Sequence, residues 1–228
     1  MTPRELQDLI VLSRNVAWRY QLDQFEEAAL KHILKAVNRA QTEIMAEIEA
    51  RGLGQYGAGL TAWSEERSLA LLDNLSDMTL GIQAQLVADI SEITGQAGAA
   101  SFLTHNDIVS WDGAVAPFNN VALSAAQMQS LALTTPVGGQ LLADWVSRTF
   151  EANLIAGIKE EILTGMLKGE GYPDLVDRLT QGWDMTRREA VTLARTYVQS
   201  ANVGAQQAVY EANKEIVKGW KWCATMEI

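Results

Sequence analysis

Few residues in this chain of 228 have the chemistry of a catalytic or metal-binding site. The sequence has two histidines, His32 and His105, and one cysteine, Cys223. Cysteine and histidine alone therefore cannot supply a four-ligand structural zinc site, and a disulfide framework is excluded. Only the neighbouring Lys221 could lower the pKa of the Cys223 thiol, so the apolar segment around it indicates a small buried side chain rather than a nucleophile.

Two further patterns resemble ligand-binding motifs but have the wrong context. Residues 52–57 fit the pattern G-x-G-x-x-G, yet a dinucleotide-binding loop follows a strand, and this one connects two predicted helices. Glutamates such as Glu26 and Glu43 could suggest a helical di-metal site, which needs Glu-x-x-His pairs, whereas His32 lies six positions after Glu26. No nucleophile, base and orienting group can be assigned by spacing. We therefore predict a protein that is not an enzyme and has no cofactor.

Composition narrows the class of protein further. Lys and Arg number 18 against 28 Asp and Glu, and the net charge of −10 argues against a protein that mainly grips nucleic acid through a basic surface. Because 48% of the residues are apolar and 20% are charged, we expect a buried core in one or two domains. No signal-peptide core follows Met1, and no window approaches a membrane span. We expect a protein from a reducing compartment that neither crosses a membrane nor enters the secretory route.

The elements that would position any site are predicted to be helices. Thr2-Pro3-Arg4-Glu5 combines an N-cap, a proline at the first helical position and the glutamate of a capping box, which predicts a first helix up to about Tyr20. From Leu22, apolar residues recur at steps of three and four up to Gly52, where the second helix is predicted to end.

A third apolar stripe with the same spacing ends at Gly95. Two long helices joined by a short loop pack antiparallel, so residues 22–51 and 63–94 are predicted to form a helical hairpin. The side chains expected in its seam include Leu72, Ile82 and Leu86.

The hairpin allows two interpretations. Its regular stripes can be explained by the seam between the two helices alone. Alternatively, Asp89 at a seam position, together with the remaining apolar residues Met45, Met78 and Val87, marks a second face for a partner helix or subunit. The spacing leaves both open.

Beyond the hairpin, the sequence predicts a change of organisation. Residues 93–140 carry only Asp107 and Asp112 as charged groups and are rich in small and polar residues, which is typical of turns and short helices. We therefore divide the chain into three regions. They are a helical hairpin at 1–95, a linker or irregular region with a short helix at 96–134, and a helical domain at 135–228.

The third region is predicted to contain three helices and a strand. An amphipathic helix runs from Leu141 to Gly169, a short one begins at Pro173 and ends at Gly182, and a capping box at 186–189 starts the last. Residues 216–223 then alternate large and polar side chains, which predicts a short C-terminal β-strand. The fold class is therefore mainly α, a truncated α+β arrangement.

The tryptophan-rich strand has no predicted partner upstream. An unpaired strand with exposed aromatic side chains is prone to aggregation. We expect either that the chain is the N-terminal portion of a longer protein, or that the strand pairs with another subunit.

Residues from Leu163 onward carry a resemblance to a known family. The run 163–173, the polar turn at Thr186 and above all Ala194-Arg195-Thr196 with Asn202 after it resemble the phage Mu F-type head morphogenesis domain, found in minor head proteins of tailed phages. The resemblance covers about residues 135–228. Family members often have a carboxylate where this chain has Tyr197, and the Asp-, Arg-, Cys- and His-bearing segment that usually follows the strand is missing.

The resemblance implies a structural role. It points to a minor capsid protein that associates with the portal and other head proteins during head assembly, with packaged DNA as a further partner. It places the protein in the virion and, during assembly, in the host cytoplasm. A homo-oligomer, or strand pairing through the C-terminal segment, is also allowed. Because such domains occur fused to enzymatic or toxin modules, the alternative is the helical targeting part of a longer fusion. A helical adaptor unrelated to phage is a third reading.

Two sets of residues are candidates for a site. Arg195, Thr196 and Asn202 form the first, a structural motif, because an arginine on a helical face of small residues is costly to bury unless a carboxylate or backbone carbonyls satisfy it. The second is a group of basic residues that form either a solvated face or a local, salt-sensitive DNA contact. Its members are Arg187, Arg188, Lys214, Lys218 and Lys221.

Overall fold

A computed structural model describes residues 2–50, 65–111, 118–168 and 172–217, and the statements below concern these. Helix α1 spans Pro3–Ile48 and begins with the predicted capping box. The Glu5 amide donates to Thr2 Oγ1 at 3.2 Å, and the Thr2 amide donates to Glu5 Oε2 at 2.7 Å. The start of the first helix is therefore confirmed.

Helix α1 has no break at Tyr20. No glycine or proline interrupts 19–22, and Arg19 Nε pairs with Asp23 Oδ1 at 3.1 Å across the predicted boundary. Trp18 and Leu22, one turn apart, are both buried. The prediction of two separate helices was wrong because one apolar face continues through this point.

Helix α2 spans Glu65–Trp111 and runs through Gly95, where a helix end was predicted. A side-chain carbon added at Gly95 would lie 2.6 Å from the Ala125 carbonyl oxygen and 2.9 Å from the Gln129 amide nitrogen. One added at Gly98 would overlap Met128. These glycines therefore permit close approach of a neighbouring helix rather than ending their own.

Helices α1 and α2 pack antiparallel. Arg14 contacts Asp107, His32 Nδ1 lies 2.8 Å from Asp89 Oδ2, and Asn74 Nδ2 donates to Glu47 Oε1 at 3.2 Å, so residue numbers rise along α1 as they fall along α2. The hairpin is confirmed. Ile82 and Leu86 are buried in it, while the Leu72 side chain lies outside the described part.

Helix α3 spans Ala125–Thr134 and lies against α2. Ser124 caps it, since its hydroxyl accepts from the Gln127 amide at 3.2 Å. A tight turn follows, in which Gly138 and Gly139 have φ of 60° and 83°, a conformation that favours glycine. The turn directs the chain into the next helical segment.

That segment is continuous from α4 (Leu142–Ser147) through a π-helical stretch (Arg148–Ile155) to α5 (Ala156–Lys168). In an α-helix, residues four apart drift around the axis by about 40° per step. The wider π turns offset this drift and keep one straight stripe in the core. The stripe consists of Leu142, Val146, Phe150, Leu154, Ile158 and Ile162.

Helix α6 spans Tyr172–Ala212 without interruption, so the predicted end at Gly182 and restart at Thr186 were wrong. A single glycine costs a helix only about 1 kcal/mol. Helix α6 is antiparallel to α1, since Arg187 contacts Gln41 and Asn202 contacts Trp18. After it, Ile216 lies in a turn, and 218–228 fall outside the described residues, so the C-terminal strand stays a prediction.

The described residues form a mainly α fold, as predicted. One apolar cluster joins α1, α2, the α4–α5 segment and α6, and a smaller one joins α2, α3 and the end of α6. No helix in the described ranges is long and apolar enough to span a membrane. The three-region division of the chain stays a prediction.

Candidate functional site

Asn202 joins three helices through one amide group. Its Oδ1 atom accepts from Trp18 Nε1 at 2.9 Å and from Ser101 Oγ at 2.8 Å. Trp18 and Ser101 are both buried. Because a buried donor without a partner is costly, this amide fixes the position of α6 against α1 and α2. We call Trp18, Ser101, His105, Asn202 and Tyr210 the Asn202 junction.

His105 is the buried aromatic centre of the Asn202 junction. Its ring packs edge-on against Trp18 and Tyr210, with centroid distances of 6.4 and 5.7 Å. Neither ring nitrogen has a hydrogen-bond partner among the described residues. Burial lowers the pKa of His105, and the nearby Asn202 side chain opposes part of this shift. The ring is therefore neutral at pH 7 and sealed from solvent, unlike a working acid or base.

Arg195 lies two turns before Asn202, in a very different setting. Its side chain is 70% exposed, and its Nε atom lies 3.9 Å from Glu26 Oε2. Glu26 is only 13% exposed, receives a hydrogen bond from Gln199 and lies 4.0 Å from Arg19 Nη2. Arg195 thus has a carboxylate near it, but at the surface rather than inside a face of small residues.

These groups border a cleft of about 480 Å³ between α1 and α6, here called the Glu26 cleft. It is lined by Arg19, Asp23, Glu26, Glu27, Leu30, Val191, Ala194, Arg195 and Gln199. The lining holds two arginines, which pair with Asp23 and Glu26, and the further carboxylate of Glu27, and it contains no serine, cysteine or histidine. The described part of the chain has no group of three Asp, Glu, His or Cys residues that could hold a metal ion.

Thr196 and Tyr197 point away from the Glu26 cleft. Thr196 Oγ1 donates to the Thr192 carbonyl at 2.7 Å within α6. Tyr197 is buried against Trp145, and its hydroxyl donates to the Gln140 carbonyl at 3.1 Å. Burial, and secondarily the charge of Asp144, raise the pKa of Tyr197 to about 12. Tyr197 is therefore part of the core.

The structure separates the described members of the basic set. Arg187 Nη2 donates to Asn38 Oδ1 at 3.1 Å and to Gln41 Oε1 at 2.8 Å, whereas Arg188 is exposed. Lys214 pairs with Glu211 at 3.3 Å just beyond the C-terminal end of α6, whereas Arg187 lies well inside the helix, roughly 40 Å away at 1.5 Å per residue. Lys218 and Lys221 lie outside the described residues.

Sequence reasoning missed a second polar centre at Glu151, in the π-helical stretch. Its carboxylate accepts from Ser76 Oγ at 3.1 Å, Thr79 Oγ1 at 3.3 Å and Gln83 Nε2 at 3.1 Å. These donors stand at i, i+3 and i+7 on one face of α2, beside its apolar seam. In the sequence, this row of polar residues beside an apolar stripe could have indicated the site, because polar side chains next to a core need a hydrogen-bond partner.

Comparison of the chain with protein-family models, curated proteins and solved structures found no match. The resemblance to the phage Mu F-type domain therefore rests on the motif residues between Leu163 and Trp222 alone.

Proposed function

We propose that this protein is a structural minor head protein of a tailed phage, which associates with the portal vertex during head assembly and acts by binding rather than by catalysis. The observation that carries the proposal is how its internal polar groups are used. Asn202 and Glu151 each join separate helices, and both arginines of the Glu26 cleft pair with carboxylates there. Polar networks satisfied in this way hold helices in one arrangement, which suits a component of an assembly.

The surface of the helical hairpin supports a binding role in a second way. Helices α1 and α2 each exceed 40 residues, which is more than 60 Å at 1.5 Å per residue. Long helices present extended faces on which partner helices can dock. The phage assignment itself comes from the motif around Ala194-Arg195-Thr196, in which Asn202 is the member with the most contacts to other helices.

Association with purified portal protein is the direct test. We expect the chain to be retained by immobilised portal protein at physiological salt, and to be present in procapsids or virions. The matched control is an unrelated helical protein of similar net charge, since a charge of −10 could by itself cause weak binding to a basic surface. Absence of portal binding together with absence from the particles would overturn the proposal.

Contact with DNA is a separate and smaller part of the proposal. Any such contact is local, because the net charge is acidic and Arg187 and Lys214 lie roughly 40 Å apart along the axis of α6. We expect the affinity for DNA to fall steeply between 50 and 200 mM salt, as phosphate contacts do. Salt-insensitive DNA binding would contradict this part and leave the portal assignment standing.

A further inference from the structure

The N-terminal half of α1 carries apolar side chains on the face that points away from the core. Between 37% and 69% of each is exposed, while Trp18 and Leu22 on the opposite face are buried. Single exposed apolar residues are ordinary, but a continuous set along about four helical turns marks an interaction surface. We call this set the α1 outer face. It consists of Leu6, Leu9, Leu12, Val16 and Tyr20.

The spacing of the α1 outer face is that of a short coiled-coil seam. Leu6 and Tyr20 are fourteen residues apart and share one heptad position, and Leu9 and Val16 share the other. Leu12 lies beside the seam, at the position that flanks the partner helix. A face of this kind fits a second helix of the same pattern along most of its length.

We propose that the α1 outer face binds the same face of a second copy of this chain, with the two α1 helices antiparallel. In this register Leu6 of one copy packs on Val16 of the other, and Leu9 packs on Ser13. The two Leu12 side chains meet near the two-fold axis. An interface of this type is closed, so association stops at the dimer.

The charges beside the seam favour a second copy of this chain as the binding partner, and they favour antiparallel packing of the two α1 helices. Glu5 and Arg19 occupy the same flanking position as Leu12, seven residues to either side of it. Antiparallel packing places Glu5 of each copy beside Arg19 of the other, which gives two ion pairs. A parallel pair would leave Glu5 and Arg19 fourteen residues apart, roughly 21 Å along the helix, and would form neither.

Both charged groups can take part without giving up their present contacts. Glu5 accepts the Thr2 amide through Oε2, which leaves its second oxygen available. Arg19 is 59% exposed, and a guanidinium has five donors, of which Asp23 and Glu26 engage only some.

The area of the α1 outer face determines the affinity that we expect for the dimer. Two such faces together bury on the order of 1,000 Å², the lower end for a specific interface. We therefore expect a reversible dimer with a dissociation constant in the micromolar range, rather than a permanent one. This inference does not rest on the proposed function, and the failure of either leaves the other standing.

Sedimentation velocity of the full chain across a range of about 1 to 100 μM is the first test. We expect the weight-average mass to rise from monomer toward dimer across this range, and Val16→Glu to raise the dissociation constant at least tenfold. Leu103→Glu, at a leucine of α2 that is more exposed than Val16 and lies outside this face, should leave association unchanged. A monomer at every concentration, or a dimer that Val16→Glu does not weaken, would overturn the proposal.

Charge reversal tests the direction of packing. Glu5→Arg alone and Arg19→Glu alone each set like charges opposite one another twice, so each variant should dimerise about tenfold more weakly. A mixture of the two should dimerise as well as the unchanged protein, because every facing pair is then opposite in charge. Circular dichroism of each variant checks that α1 persists when Glu5 leaves the capping box. Weak association in the mixture, with α1 intact, would overturn the antiparallel register.

Discussion

Two of the polar sites at which helix α6 contacts α1 lie two turns apart, and these two sites differ in kind. At the Asn202 junction the groups are neutral, buried or half-buried, and Asn202 accepts hydrogen bonds of 2.8 and 2.9 Å. In the Glu26 cleft the groups are charged, and Arg195 is 70% exposed at 3.9 Å from its carboxylate. The same helix face thus makes one contact inside the protein and one at its surface.

The difference shows where polar contacts hold this fold together. A buried polar group that loses its hydrogen-bond partner cannot form a replacement bond with water, so the full cost of its desolvation is lost from the stability of the fold. An exposed ion pair loses little, because water and salt replace the partner. We infer that the Asn202 junction fixes α6 on the hairpin, whereas the Glu26 cleft mainly shapes the surface between the same helices.

The apolar seam between α1 and α2 gives the largest expected effect. Leu86 is 2% exposed, so Leu86→Asp places a charge in the seam and should lower the free energy of unfolding by roughly 3–5 kcal/mol. Leu80→Asp, at a 55% exposed position of the same helix, should change it by less than about 0.5 kcal/mol. Denaturant unfolding measures both, and equal effects would mean that the register of α2 is wrong.

The Asn202 junction comes next. Asn202→Ala leaves Trp18 Nε1 without its acceptor and removes one of the two acceptors of Ser101 Oγ, whose contact with the backbone carbonyl of residue 202 at 3.3 Å remains, so it should cost about 1–3 kcal/mol. Gln207→Ala, at an exposed position of α6, is the matched control and should cost less than about 0.5 kcal/mol.

A double-mutant cycle sharpens this prediction. Trp18→Phe removes the indole donor, so its cost and that of Asn202→Ala should fall short of additivity by about 1 kcal/mol. Strict additivity would show that the two side chains do not act through their hydrogen bond.

His105 should make the Asn202 junction sensitive to acid. Burial lowers the pKa of His105 in the folded state below the ordinary value of 6.5. Near and below pH 6.5, the unfolded chain therefore binds a proton at His105 that the folded chain does not bind. Stability should therefore fall as the pH drops through 6.5 toward the lowered pKa, and the slope due to His105 should disappear about one pH unit above 6.5, where the unfolded chain is largely deprotonated as well. His105→Phe should reduce the loss of melting temperature between pH 7.5 and 5.5.

The matched control for this pH profile is His32→Gln, because His32 is an exposed histidine on α1. It leaves His105 in place, so the acid-side loss due to His105 should persist. An unchanged profile for His105→Phe would mean that the buried ring is not the group that couples to protons.

The periodic part of this fold could be predicted from the sequence. The capping box at Thr2 and the burial of Ile82 and Leu86 follow from rules that act within one helix. The missed boundaries depend on tertiary contacts. In the sequence Gly95 resembles a helix end, and its role is visible only from the close contact with Ala125 in the structure. In the α4–α5 segment, the apolar residues at a constant spacing of four were not recognised as a sign of π-helical turns.

The candidate site was predictable only in part, for a similar reason. Arg195 and Asn202 are seven residues apart on one face of α6, and nothing in that spacing distinguishes an exposed side chain from a buried one. The distinction comes from Glu26 and Trp18 on α1, more than 160 positions earlier in the chain. Sequence patterns in α6 alone carry no information about these partners.

Replacement of Arg195 has the smallest expected effect on stability. It tests whether the Glu26 cleft contributes less than the Asn202 junction to holding α6 on α1. Arg195→Ala removes one long ion-pair contact from Glu26, which keeps Gln199 and Arg19 nearby. An exposed pair of this kind is worth less than about 1 kcal/mol, and less still at high salt. We therefore expect a small loss of stability in dilute buffer that shrinks further in 0.5 M salt. A loss as large as that of Asn202→Ala, and independent of salt, would show that the Glu26 cleft also fixes α6 to α1.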